Sequence, residues 1–245
     1  MNVSTNAIIL RTINYLESSK IIYAYSKEFG KQTLVAKGAL RAKSKFGSSL
    51  ELCSEVEIKY FKKSNREIHN LTNAELIRKS FIDKLPFVDK ILCMMMSESI
   101  FKLEKDDNPD EQFYLSIERL IDISCSDNIF SPSMFLYSQI ELASSIGHAI
   151  HLKWDNSSII DYSDSKDVFL DISNCKIYLD NNTRAERRLK FKIEELKIIK
   201  EVSNGGLDTN VTISLLKRLV YFFENYFSYH SEKKFNYNSF ELING

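Results

Sequence analysis

The sequence predicts an α+β protein of more than one domain: a five-stranded barrel over residues 1–80, then an all-helical body over residues 81–245 with a small hairpin insertion at 148–182. Three observations predict it. Up to about residue 80, short runs rich in β-branched and aromatic residues alternate with tight polar breaks. Beyond Pro86 the apolar period lengthens to that of a helix. Charge divides in the same place: residues 1–80 hold 14 Lys and Arg against 7 Asp and Glu, and the remaining 165 hold 19 against 26. A net charge of zero therefore conceals +7 followed by −7, an asymmetry that points to a polyanionic partner for the N-terminal part.

The strands come in order. "NAIILRTINY" is an apolar, β-branched run, and "SKIIYAYSKEF" comes after the break at Glu17–Ser19. Gly30 turns the chain into "KQTLVAKGA". "LCSEVEIKYF" alternates, with Leu52, Val56, Ile58 and Tyr60 on one side and Glu55, Glu57 and Lys59 on the other. A fifth strand, the weakest signal, lies in "REIHNLTNAELIRKS" and ends near Glu75. Five short strands with no intervening helix long enough for a parallel crossover fit the oligonucleotide-binding (OB) barrel.

The helices come next. "FVDKILCMMMSESIFKLEK" carries a broad apolar face, with Met94–Met96 read as core filler. "NPDEQFYLSIERLIDIS" opens on Asn108 as N-cap, and "SPSMFLYSQIELASSIG" opens on Ser131 and Pro132 and stops at Gly147. "VFLDISNCKIYLD" reads as a hairpin turning near Ser173–Asn174. Two more helices are expected in "RAERRLKFKIEELKIIKEVS" and "DTNVTISLLKRLVYFFENYFSYH", the latter capped by Asp208 or Thr209 after a stop at Gly205–Gly206.

Catalytic constellations are absent from the sequence. His69, His148, His151 and His230 form no HExxH or HxH pattern, and neither a phosphate-binding glycine loop nor a nucleophile elbow occurs. Asp106 and Asp107 read as loop acids, and Asp155, Asp161, Asp164 and Asp167 are too irregular to hold a nuclease metal. Cys53, Cys93, Cys125 and Cys175 form no CxxC pair and read as free thiols, so neither zinc nor disulfides are expected. No apolar run reaches the roughly 20 residues of a membrane helix, and "MNVSTNAIILRT" lacks the layout of a secretory signal. The expectation is a cytoplasmic binding protein without catalytic residues, metal or cofactor.

"VAKGALRAKSKFG" packs Lys37, Arg41, Lys43 and Lys45 together without one acid. A like-charged run of this kind is self-repulsive, and it is most easily understood against an anion. Arg11 and Lys31 join these four as candidate DNA-binding residues, with Tyr15, Tyr23, Tyr25, Phe46 and Tyr60 as either stacking platforms or core.

"AIILRTINYLESSKIIYAYSKEFGKQTLVAKGALRAKSKFG" resembles the N-terminal signature of the bacterial recombination mediator RecO. "LTNAEL", "IELASSIG" and "YFSYHSEKKFNYNSFELI" extend the resemblance along most of the chain. It implies a protein that binds single- and double-stranded DNA, anneals complementary strands and engages the C-terminal tail of single-stranded DNA-binding protein. With RecR, and in many bacteria RecF, such a protein helps load RecA onto coated DNA. Carried over by position, Lys37 and Arg41 stand in the family's Lys-Gly-Ala-basic-basic segment, where Leu40 replaces the first basic residue and Lys43 or Lys45 compensates. Many members place two CxxC pairs in the insertion after Gly147; here that region holds Cys175 alone, so zinc is not expected. An RNA-binding or translation-associated barrel protein is the alternative.

The segment "RAERRLKFKIEELKIIK", read as a helix, sets Arg184, Arg188 and Lys192 at i,i+4 spacing, with Arg187 alongside and Leu189, Ile193 and Leu196 as an apolar stripe. This ridge suits the acidic, aromatic-ended tail of the single-stranded DNA-binding protein. Two other readings stay open: a solvated amphipathic helix, or a continuation of the DNA track.

Overall fold

The computed structural model describes residues 1–63, 65–103, 109–127, 130–154, 167–179 and 187–244. In the N-terminal part, alternation of inward apolar and outward polar residues builds β1 (Asn2–Tyr15), β2 (Ser19–Ser26), β3 (Gly30–Ala36), β4 (Glu55–Phe61) and β5 (Ile68–Arg78). They close into a barrel in the order β1-β2-β3-β5-β4. All neighbours are antiparallel except the parallel β3–β5 pair. This is the OB barrel that the sequence predicts. Its interior is filled by small and branched side chains such as Ala7, Ile22, Ala24, Leu34, Val56 and Ile58.

β1 is long because it serves both neighbours: Asn2–Ile8 pairs with β4, and Ala7–Tyr15 with β2. The register shifts between Ile9 and Arg11. Ile9 there exchanges backbone hydrogen bonds with Cys53 and Ser54, at 2.8 and 2.9 Å. An extra residue at a bulge re-aims the side chains beyond it, and Arg11 emerges exposed directly after the buried Leu10.

β4 departs from the expected alternation at its first residue. Glu55, expected to point outward with Glu57 and Lys59, is only 4% exposed. Its carboxylate accepts from Arg78 Nε at 3.2 Å, from Arg78 Nη2, and from Tyr114 Oη at 3.2 Å. A buried carboxylate is tolerable only when paired in this way. The pairing also explains why β5 runs on to Arg78, opposite Glu55 in the ladder, rather than stopping near Glu75.

The chain divides into two compact units, Met1–Ile129 and Phe130–Gly245. The barrel itself ends at Arg78, while α1 (Phe87–Leu103) and α2 (Glu111–Asp127) belong to the first unit. α1 packs against β1, burying Met95 and Met96 completely while Met94 stays 37% exposed. α2 is capped by Asp110, whose Oδ1 accepts from the N–H groups of Gln112 and Phe113 at 2.8 and 3.1 Å; the expected cap, Asn108, lies outside the described residues. Burial and the neighbouring Glu55 push the Tyr114 phenol far above its ordinary range.

In the second unit, α3 (Pro132–Ser145) starts as expected: Ser131 Oγ accepts from Met134 N, and the chain leaves at Gly147 with φ +84°. The predicted hairpin is present as β7 (Asp167–Asp171) and β8 (Lys176–Tyr178). It is the centre of a four-stranded sheet ordered β6-β8-β7-β9, with β6 at Lys153–Trp154 and β9 at Arg188–Lys192. β9 overturns an expectation, since the sequence predicts a single helix across these residues. Leu189 and Phe191 alternate with Lys190 and Lys192, a period of two that β7 satisfies with a full antiparallel ladder. The helix α4 (Ile193–Ser203) begins only afterwards, with Lys192 as N-cap and Glu195 accepting from its N–H at 2.9 Å. The last long helix, α5 (Ile213–Ser231), is capped by Thr212 rather than by Asp208 or Thr209. Among the described residues no helix is long and apolar enough to cross a membrane.

Candidate nucleic-acid interface

The basic stretch forms the start of a loop, residues 37–54, between β3 and β4. It is not a free loop. Successive turns close through Arg41 N to Gly38 O (3.2 Å), Ser44 N to Arg41 O (2.9 Å) and Ser49 N to Phe46 O (2.9 Å). Leu40 N–H donates to the Ser18 carbonyl at 3.0 Å, and Thr12 Oγ1 to the Leu50 carbonyl at 2.8 Å. Phe46 and Leu50 drop into the barrel core, each worth about 1.5–3 kcal/mol of burial. The loop is thereby tied to β1, to the β1–β2 turn and to the interior at once.

Its cations are not equivalent. Lys45 donates to the Thr72 carbonyl of β5 and lies 5.2 Å from the Phe46 ring centroid, so its charge bridges loop and sheet. Lys37, Arg41 and Lys43 are exposed, and none of them pairs with a carboxylate among the described residues. The charges around β4 behave otherwise. Lys59 Nζ sits 3.2 Å from Glu75 and 3.6 Å from Glu57; the hydrogen bond to Glu75, then the charge of Glu57, raise its ammonium above the ordinary range. Glu57 in turn accepts from Ser4 Oγ, which holds its carboxyl below the usual range. One side of the barrel is thus internally neutralised, while the β3–β4 loop carries uncompensated positive charge.

That loop borders the outer face of β2 and β3, the face with which OB barrels take oligonucleotides. Two cross-strand rows line it, Arg11–Tyr23–Thr33–Ile68 and Ile13–Ile21–Val35–Asn70. Alternation carries the outward row of Thr33 and Val35 on to Lys37. Tyr23 is half-buried, with the Arg11 guanidinium 5.9 Å from its centroid and Phe101 edge-on at 5.2 Å. Tyr15 is 42% exposed. Tyr25, Phe46 and Tyr60 are core residues and present no surface to a base. Tyr60 donates to Gln32 at 2.8 Å, and burial together with the nearby Glu28 pushes its phenol up to about 12.

Lys31 is not part of the cluster. It stands six residues before Lys37, roughly 20 Å away along β3 at the usual strand rise, and its ammonium donates to the Phe101 carbonyl of α1 at 3.0 Å. A second basic segment joins β4 to β5: "FKKSNRE" supplies Lys62, Lys63 and Arg66. Lys62 Nζ lies 4.9 Å from the Phe29 ring and Lys63 Nζ 5.9 Å from Phe61. The β4–β5 connection is a nucleic-acid-contacting loop of this barrel type. Its three cations against one acid are visible in the sequence, but the weak signal of the fifth strand hides where the loop ends.

The residues expected to take a partner's tail do not form a helical ridge. Arg188 and Lys192 stand four residues apart on β9, and Arg184 lies outside the described residues. The Arg187 guanidinium lies 4.7 Å from the Tyr229 ring and that of Arg188 3.5 Å from Tyr178. Leu189 is in β9 and Ile193 and Leu196 are in α4, so the three form no stripe on one helix.

The zinc carried by many proteins of the resembled family does not fit the residues present. Cys175 is the one cysteine of the 148–182 segment, and a lone thiol falls short of the four ligands of a structural zinc site; it is buried, which pushes its thiol up to about 11. His148, His151 and His230 line a cavity with it of about 370 Å³. Among the described residues no three His, Cys, Asp or Glu side chains are arranged to share an ion.

Residues 1–80 match the family model described as recombination protein O, N terminal. The chain is 30% identical over 154 residues, 61% of its length, to DNA repair protein RecO of Chloroherpeton thalassium, covering 58% of that protein. It is 29% identical over 149 residues to DNA repair protein RecO of Salinibacter ruber, covering 56% of it, and 33% identical over 142 residues to that of Mesoplasma florum, covering 53%. The matched segments thus span a little over half of each of these relatives.

Proposed function

We propose, from the premise that residues 1–80 of this chain are a RecO-family N-terminal domain, that the protein is a DNA-binding recombination mediator acting in DNA repair. It binds single- and double-stranded DNA through phosphates and anneals complementary strands, without catalytic turnover. With RecR, and with RecF where that partner is used, it helps load RecA onto DNA coated by single-stranded DNA-binding protein, in the cytoplasm and on the nucleoid. Docking of that protein's C-terminal tail belongs to the same reading and is assigned to the second unit, at a place other than a basic helical ridge, since β9 takes up those residues.

The observation that carries the reading is the trio Lys37, Arg41 and Lys43, exposed and without a carboxylate partner among the described residues, on a loop pinned beside the β2–β3 face of an OB barrel. Such charges self-repel and gain most when phosphates neutralise them. The test is a titration of the full chain against single-stranded DNA and RNA of the same sequence, alongside annealing of complementary DNA strands coated with single-stranded DNA-binding protein. Preference for DNA with accelerated annealing is expected. Preference for RNA without annealing would favour a translation-associated role, and magnesium-dependent loss of substrate would reveal a nuclease.

A further inference from the structure

β1 and β2 are joined by Leu16, Glu17 and Ser18, a turn closed by the Tyr15–Ser19 pair at the end of the ladder. Leu16 carries two costs at once. Its φ is +53°, in the left-handed region that a leucine rarely enters. Its side chain is 76% exposed, the most of any large hydrophobic among the described residues. Asn or Gly would relieve the first cost, and any polar residue the second. Neither packing nor turn chemistry accounts for a leucine here, and backbone strain of this kind clusters where a ligand is met.

The surroundings select the ligand. Leu40 N–H donates to the Ser18 carbonyl at 3.0 Å, which holds the turn against the β3–β4 loop and its exposed Lys37, Arg41 and Lys43. Leu40 is itself 38% exposed and Tyr15 42%. Alternation sets Tyr15 on the outer face of β1 with Arg11 and Ile13. An exposed apolar tip therefore adjoins three cations that have no carboxylate partner among the described residues, the tip suited to bases and the cations to phosphates. No cation lies between Arg11 and Lys20, and the exposed Glu17 repels phosphates from the tip. A strand whose backbone follows Lys37–Lys43 thus presents its bases to Leu16. Leucine is among the apolar side chains that DNA-binding proteins insert between base steps. A single strand admits it at less cost than a duplex, because no base pair is broken.

We propose that Leu16 is a wedge that enters a bound single strand between two neighbouring bases, with Tyr15 as the platform for one of them, so that the parted bases keep their pairing edges free. The proposal rests on the phosphate-binding role given above to the β3–β4 loop. The test uses the full-length chain and an oligo-dA carrying one 2-aminopurine, whose fluorescence is quenched while it stacks on its neighbours. Leu16→Asn keeps the left-handed turn and removes the apolar side chain. Leu16→Met keeps an apolar side chain. A barrel variant (Lys37→Ala, Arg41→Ala, Lys43→Ala) removes the phosphate contacts. Saturating wild type should raise the fluorescence about threefold or more as the base unstacks, and Leu16→Met should do the same. Leu16→Asn should melt no lower than wild type and bind within about threefold of its affinity, with the same salt slope. It should nevertheless give less than roughly a third of the fluorescence rise. A Leu16→Asn chain with the full rise, or a wild-type chain that binds without one, overturns the wedge and leaves the barrel reading standing. Undiminished binding by the barrel variant overturns the barrel placement and the wedge with it. A rise lost together with salt slope in Leu16→Asn would make the tip a phosphate contact and refute the wedge. Self-association lost in Leu16→Asn with the rise intact would make it a contact between copies of the chain, which also refutes the wedge.

Discussion

Neutralising Lys37 and Arg41 together tests whether the barrel loop is a phosphate-contacting surface. The parent for this experiment is the wild-type chain. Each phosphate contact to a single strand contributes about 0.7 to the slope of log K against log salt, so losing two should flatten it by about 1.4. Between 50 and 200 mM salt, a span of about 0.6 log units, the parent should therefore lose roughly sevenfold more affinity than the variant. The structure supplies two controls. Lys31 spends its ammonium on the Phe101 carbonyl and Lys59 is held by Glu57 and Glu75, so Lys31→Ala and Lys59→Ala should leave the slope where it was. Folding is not expected to confuse the result, because substitutions of exposed side chains away from buried networks usually change stability by no more than about 0.5 kcal/mol. The assay is anisotropy of a labelled oligo-dT at four salt concentrations, with melting curves in parallel. A folded Lys37→Ala, Arg41→Ala variant with the parent's slope would falsify the placement of the site.

Other predictions concern the contacts that hold these surfaces in place. Arg78→Met strands the Glu55 carboxylate in the interior and should cost about 3–5 kcal/mol in urea unfolding; a loss below about 1 kcal/mol would show the pairing to be dispensable. Phe46→Ala removes the loop's anchor in the barrel and should cost about 3–5 kcal/mol. It should also weaken DNA binding although no cation has been removed, and undiminished affinity would mean that the loop holds its shape without the anchor. His230 carries a pH dependence. Burial, then the charge of His148, holds its imidazole below the ordinary range, with the His148 ring 4.4 Å away and Tyr226 and Tyr229 also against it. As pH falls through about 6.5 the unfolded chain therefore takes up the proton first, and stability present above that value is lost toward the lower folded pKa. Urea midpoints should drop between pH 7.5 and 5.5 in wild type and drop less in His230→Phe; equal drops would remove His230 as the cause.

The features legible in the sequence are those written in neighbouring residues. A period of two marked the barrel strands, Ser131–Pro132 and Gly147 bounded α3, and the acid-free run from Lys37 to Lys45 marked the loop, because a cap, a turn or a charge cluster needs only its own few residues. Tertiary structure decided whatever depends on a partner distant along the chain. "RRLKFKIEEL" is compatible with a helix by composition and with a strand by alternation; the antiparallel ladder to β7 selects the strand and removes the basic helical ridge. Glu55 reads as an outward residue until Arg78, 23 positions on, buries it as an ion pair. Lys31 reads as one more free cation until the α1 carbonyl of Phe101 claims it. Arg187 reads as a ridge residue until the Tyr229 ring of α5, 42 positions on, meets its guanidinium, a juxtaposition that no local pattern encodes. Periodicity and capping are satisfied within a turn or two of chain, whereas the pairing of a buried charge and the stacking of a guanidinium on a distant ring exist only once distant segments have been brought together.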